Sequence, residues 1–183
     1  LTDAQLEAML SVTNIDILAD GELHNLAWSF DSGSEAFDYL AVGESLELQY
    51  TVRATDNSSP TTPGFDEHFV TITINGTNDD PIITIDATAP TDSDAASLDE
   101  ANGGLTANGT LTVTDADFND TVTATVETVA TTGPRGGLTD AQLEAMLSVT
   151  NIDILADGEL HNLAWSFDSG SEAFDYLAVG ESL

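Results

Sequence analysis

Apolar and polar residues alternate one for one in two stretches of the chain. From Glu47 to Ala54, Leu48, Tyr50, Val52 and Ala54 alternate with Glu47, Gln49, Thr51 and Arg53. From Phe69 to Asn75, Val70, Ile72 and Ile74 alternate with Phe69, Thr71, Thr73 and Asn75. Successive side chains of a strand point to opposite faces, so the pattern predicts two strands with one buried face each. Asn75-Gly76 then signals a turn. Earlier in the chain, Leu1–Leu10 reads as a short helix. Thr2 can cap it, Gln5 completes a capping box, Leu1 can staple to Leu6, and Leu6, Met9 and Leu10 give one apolar stripe. Ile15 and Ile17 suggest a strand, Asp20-Gly21 a turn, and Leu26, Trp28 and Phe30 a second strand with a large aromatic face. Ala36 to Gly43 reads as a tight helical turn. Beyond Pro81, strands are expected at Ile83 and Ile85, at Leu111 and Val113, and at Val122, Ala124 and Val126. Thr131 to Gly137 forms a loop. Short strands separated by Gly, Asp and Asn turns argue for an all-β, antiparallel sandwich.

A self-comparison changes the picture of how these elements are organised. Residues 1–46 recur without one change at 138–183, an offset of 137. The chain is therefore one full period and a third of the next, as in a tandem string of beads. A first residue other than Met also reads as a piece of something longer.

Charge narrows the function. The chain has 33 acidic residues and two basic ones, Arg53 and Arg135. A surface so negative repels phosphate backbones and anionic lipid, which argues against nucleic-acid binding and direct membrane contact. The apolar content of 41% is that of a folded protein rather than an acidic tail. Without cysteine there are no disulfides and no thiolate metal sites. Neither a transmembrane-length apolar run nor a signal peptide is evident.

The acids are clustered rather than scattered. In Asn78-Asp79-Asp80-Pro81, two adjacent carboxylates repel each other and require either full exposure or a cation. Thirty-five residues after Asp80, Asp115-Ala116-Asp117 places two more carboxylates on one face of an extended segment. Calcium takes six to eight oxygens from carboxylates, amides, backbone carbonyls and water, and this donor set suits it. Asp115-Asp117-Asn119 begins like an EF-hand loop, but its sixth position is Asp120 rather than Gly and its twelfth is Val126, so that motif fails. Asp31 to Glu35 reads as an ordinary turn, and Asp92, Asp94 and Asp99 as surface acids. No enzyme is expected: His24, its copy His161, and His68 stand in no nucleophile or metal motif. Paired carboxylates can hydrolyse glycosides, but duplicating a bead is an odd way to build a single cleft.

Several motifs in order carry a resemblance. They are Ala107-Asn108-Gly109-Thr110 through Asp117, Trp165-Ser166-Phe167, Leu177 to Leu183, Tyr50 to Asp56, and Val70 to Pro81. In this order they resemble the VCBS-type, cadherin-like (Ig-like) extender repeats of large bacterial RTX-type adhesins. The helical stretch and the loop before it look like an insertion, and the calcium-binding glycine-rich nonapeptide of type I secretion signals is absent. The resemblance implies tandem β-sandwich beads with Pro81 as the first residue of a bead. Residues 1–80 are then the C-terminal part of one repeat, and 81–183 the N-terminal and middle part of the next. By the same resemblance Asn78, Asp79, Asp80, Asp115 and Asp117 hold junction calcium. Asp56 matches a ligand facing the preceding junction, and Glu100 one serving the following junction. The function implied is a calcium-stiffened spacer on the bacterial cell surface, partnered by neighbouring repeats. The alternative is an adhesin module that grips sugar or protein itself. Half-beads expose strand edges, so strand exchange with a neighbouring chain is expected.

Overall fold

The structure, a computed structural model, describes every residue except 14–20, 87, 89–91, 151–152 and 156–157. The expected strand at Ile15 and Ile17, and Asp20 of the expected turn, lie outside the described residues. The chain divides into two compact units, Leu1–Thr77 and Asn78–Leu183. Both are built mainly of antiparallel strands.

In the first unit, α1 (Asp3–Glu7) starts at the cap expected for it. The Thr2 hydroxyl accepts from the Gln5 amide, and the Gln5 side chain accepts from the Thr2 amide. The helix is shorter than the apolar stripe suggests. Leu10 leaves it to begin β1 (Leu10–Thr13), which pairs with β2 (Ala27–Phe30) in the register Leu10↔Phe30 and Val12↔Trp28. Cross-strand pairing to Phe30 overrides the helical pattern, and the Asp31 amide locks the corner by donating to the Met9 carbonyl at 2.8 Å. Residues 36–43 form successive tight turns rather than a helix, with Leu40 N–H bonded to Phe37 O and Glu44 N–H to Ala41 O. A long hairpin follows, β3 (Ser45–Thr55) against β4 (Phe65–Asn75), with eleven residues in each strand. Its alternation is the expected one: Leu48 is buried, and Leu46, Tyr50, Val52, Val70, Ile72 and Ile74 are half-buried on one face. That face meets Met9, Phe37 and Leu40, with Leu6 and Phe30 at the margin. The Tyr50 hydroxyl donates to the Leu6 carbonyl at 2.9 Å, and its ring meets Phe30 edge-on. The chain turns out of the hairpin at Gly76, where a Cβ would stand 2.2 Å from the carbonyl oxygens of Leu40 and Ala41. Only glycine allows that approach.

The second unit holds β5 (Ile82–Thr84), β6 (Thr106–Thr114), β7 (Thr121–Thr123), α2 (Asp140–Glu144), β8 (Leu147–Val149), β9 (Asp153–Leu155) and β10 (Leu163–Asp168). Four of the strands make one sheet in the order β5-β6-β10-β8, and β7 pairs with β9. Val113, Leu163 and Ile154 bring the two sheets together in one buried cluster. The strand expected over Val122–Val126 ends at Thr123, and residues 124–132 run on outside any strand. β8 and β10 repeat the β1–β2 register residue for residue, Leu147↔Phe167 and Val149↔Trp165. In this copy the far edge of β10 is also paired, with β6. Trp165 accordingly lies flat on Gly109, where a Cβ would meet the ring at 2.7 Å, and its Nε1–H donates to the Ser93 carbonyl at 2.7 Å. Its counterpart Trp28 is 50% exposed.

Candidate metal centre

The Asp115-Ala116-Asp117 segment leaves β6 and turns at once. The Asp117 amide donates to Asp115 Oδ1 at 3.1 Å, and the Asp120 amide to the Asp117 carbonyl at 3.0 Å. This turn directs Asp117 inward, and the residue is fully buried. Its Oδ2 accepts from the Asp79 amide at 2.8 Å, while its Oδ1 is buried without any hydrogen-bond partner. Two parts of the expected site, 38 residues apart, thus meet through one carboxylate. Asn78 folds over the same stretch, its Nδ2–H donating to the Asp79 carbonyl at 2.8 Å. Asp79 and Asp115 are half-buried, and Asn78 and Asp80 exposed.

An oxygen of a buried carboxylate with no donor facing it is costly, because water has been removed and nothing replaces it. A hard cation is one group that satisfies such an oxygen. The neighbouring donors are carboxylate, amide and backbone oxygens, the set calcium selects. Among the described residues, no group of three or more His, Asp or Glu side chains stands close enough together to hold a metal. The candidate site is a single buried carboxylate, that of Asp117, a residue in hydrogen-bond contact with the half-buried Asp79 backbone and Asp115.

The two remaining expected ligands lie elsewhere. Asp56 sits at the end of β3 in the first unit, where its Oδ1 accepts from the Ser58 hydroxyl at 2.6 Å, the Ser58 amide at 3.0 Å and the Gly64 amide at 3.0 Å. Hydrogen bonds from Ser58, then Gly64, hold this carboxyl below the ordinary carboxylate range. Asp56 closes the hairpin loop. Glu100 is exposed on a strand-free stretch of the second unit. Asp31 makes the expected ordinary turn, accepting from the Gly33 amide at 2.9 Å.

One acid contradicts its sequence reading. Asp92, expected at the surface, has a completely buried side chain. Its Oδ1 accepts from the Thr110 hydroxyl at 2.6 Å and lies 2.9 Å from His161 Nδ1. Its Oδ2 accepts from the Asp86 amide and the Thr112 hydroxyl, both at 2.9 Å. Burial alone would raise the Asp92 pKa. The donors from Thr110, Asp86, His161 and Thr112 outweigh it and hold the carboxyl far below the ordinary range. The inward-facing hydroxyls at alternate positions of β6 were the available signal, but nothing local marks their partner.

No protein-family model matches the chain, and no curated protein has a similar sequence.

Proposed function

We propose that the chain is a calcium-stiffened spacer segment of a bacterial surface adhesin, projecting a terminal binding domain away from the cell. The observation that carries this reading is Asp117: a buried carboxylate, one oxygen unpartnered, bonded to the backbone of the acidic segment that opens the second unit. The tandem duplication and the net charge of −31 support it, since a spacer needs repetition and solubility rather than private chemistry in each bead. Asp117, Asp115 and the oxygens of Asn78, Asp79 and Asp80 would hold the ion. Without calcium the adjacent acids repel and the segment entering the second unit moves freely. Bound calcium neutralises them and fixes that segment. Extracellular modules bind calcium with Kd of about 10⁻⁴–10⁻³ M, so stiffness would follow the outside medium. The proposed location is extracellular. Among the described residues, no helix is long and apolar enough to cross a membrane.

The test is melting with calcium and with chelator. Ligand at 100 times Kd stabilises by about 2.7 kcal/mol, which for a unit of this size raises Tm by roughly 10–20 °C. Asp117→Asn keeps the side-chain shape and an acceptor for the Asp79 amide but removes the charge, and it should abolish the calcium response. A wild-type Tm indifferent to both calcium and chelator would sink the proposal.

A second reading, a module that itself grips a ligand, is favoured by an open apolar groove of about 940 Å³ in the second unit. Saturable binding of a sugar or peptide in that groove, at unchanged affinity after chelation, would support it instead.

A further inference from the structure

Asparagine is followed by glycine at three positions of the chain, Asn75-Gly76, Asn102-Gly103 and Asn108-Gly109. The step is chemically labile, because the glycine nitrogen can reach the asparagine Cγ and a residue without Cβ does not obstruct the approach. Closing that ring needs a backbone free to turn and an amide nitrogen free to attack. Two of the three steps are held. Asn75 ends β4 in register with Ser45, and the Gly76 amide donates to the Glu44 carbonyl at 3.0 Å. Asn108 and Gly109 stand inside β6, paired with Ser166 and Trp165, and the Trp165 ring lies on Gly109. Asn102-Gly103 is open. Residues 101–104 are exposed and belong to no strand or helix. Among the described residues nothing accepts from the Gly103 amide, and a Cβ at Gly103 would meet nothing within 4 Å. Both residues stand outside the groove wall.

We infer that Asn102 is a self-modification site, where the folded chain converts asparagine to aspartate and isoaspartate while Asn75 and Asn108 are preserved. The Gly103 nitrogen gives up its proton and bonds to Asn102 Cγ. The bond from Cγ to the side-chain nitrogen breaks, ammonia leaves, and a cyclic imide joins the two residues. Water then adds to one of the two imide carbonyls. Opening at Cγ returns an ordinary aspartate, and opening at the backbone carbonyl gives isoaspartate, whose main chain runs through Cβ and Cγ. The net change is amide plus water to carboxylic acid plus ammonia, with no oxidant or reductant. The chain beyond the bend is pinned. The Leu105 amide donates to Ser169 Oγ at 2.8 Å, the Ser169 amide donates to the Leu105 carbonyl at 3.0 Å, and Gly104 lies against the Gly170 carbonyl. The extra main-chain carbon of isoaspartate is therefore taken up in the exposed stretch before Gly104, and β6 keeps its register. Either product adds a carboxylate close to Asp99 and Glu100, and the converted fraction records the age of the molecule. This inference depends neither on calcium nor on the spacer reading.

The experiment incubates the full chain in mildly alkaline buffer, folded and in urea, and follows conversion by mass spectrometry. Trypsin cuts after Arg53 and Arg135, so a single peptide, 54–135, carries all three steps. Fragmentation places each gain of one dalton, and isoaspartyl methyltransferase detects the isoaspartate product. In the folded chain Asn102 should convert at least about tenfold faster than Asn75 or Asn108, whose backbones must first open locally. In urea the three rates should converge. Gly103→Val sets a branched side chain on the line of attack and should slow conversion at Asn102 severalfold. It should leave Tm unchanged, because that position is open. Equal rates at the three positions of the folded chain overturn the inference, because the fold then selects nothing. Asn102 persisting in the folded chain while the urea sample converts also overturns it. So does an unchanged rate in Gly103→Val, because the Gly103 nitrogen is then not the attacking group.

Discussion

Leu26 and Leu163 have the same sequence neighbours on both sides, because one is the copy of the other. Leu163 is 2% exposed, packed with Val113 and Ile154, whereas Leu26 is 37% exposed. Truncation to alanine therefore gives a test in which local sequence is held constant and only the tertiary environment differs. Leu163→Ala removes buried methyls and leaves a cavity between two sheets, which costs about 2–5 kcal/mol. Leu26→Ala removes a side chain that already meets water and should cost less than about 1 kcal/mol. For domains of this size each kcal/mol moves Tm by roughly 4–8 °C, so the two variants should separate by at least about 4 °C. Urea unfolding followed by tryptophan emission reads each unit separately. Trp28→Phe leaves Trp165 to report the second unit, and Trp165→Phe leaves Trp28 to report the first. Equal costs for the two variants would refute the reasoning, because position in the repeat would then decide nothing.

The other predictions concern single contacts in the second unit. Gly109→Val forces a side chain against the Trp165 ring, where a Cβ already stands 2.7 Å away, and should cost about 1–3 kcal/mol as overpacking, measured by urea unfolding. Thr139→Ala removes the hydroxyl that accepts from the Gln142 amide at the start of α2; a loss of about 1 kcal/mol is expected in the same assay. Asp92 has a folded-state pKa depressed below its unfolded value, burial being outweighed by its hydrogen bonds. Its contribution is therefore present above the ordinary carboxylate pKa of about 3.9 and fades as pH falls below that value toward the folded-state pKa. Asp92→Asn should flatten the acid limb of the stability-versus-pH curve below about pH 4, and an unchanged acid limb would show that the Thr110, Thr112 and Asp86 donors do not favour the charged form.

The alternation from Glu47 to Asn75 was enough to give the β3–β4 hairpin its inner face, because a strand's faces are set by period two alone. The cap of α1 was equally legible: Thr2 and Gln5 bond within one turn. Legibility failed where a residue's fate depended on a distant partner. Leu10 continues the apolar stripe of α1, yet pairing with Phe30 draws it into β1. Asp92 looks like any surface acid until Thr110, Thr112 and His161 are brought around it. At the acidic segment the sequence named the residues but not their ranking. Asp117 became the centre of the candidate site because a turn buries it and the Asp79 amide reaches it, whereas Asp80 stays in solvent.

By itself the sequence determined the repeat, the extreme charge, the mainly β character and the two faces of the long hairpin, since each depends on local order or on simple counting. The tertiary structure alone decided what the two identical 46-residue copies became. Trp28 and Trp165 sit in the same local sequence. One is half exposed and, among the described residues, its strand pairs only with β1, and the other has β6, Gly109 and the Ser93 carbonyl. Phe37 and Phe174 keep the same left-handed backbone at φ 60° and 58°, held by bonds within a few residues. Both are buried, but by different partners: Leu46 and Ile74 of the hairpin pack against the cluster of Phe37, and Leu105 and Val129 against that of Phe174. Backbone geometry followed the local chain, while burial followed whichever distant segments were there to cover it.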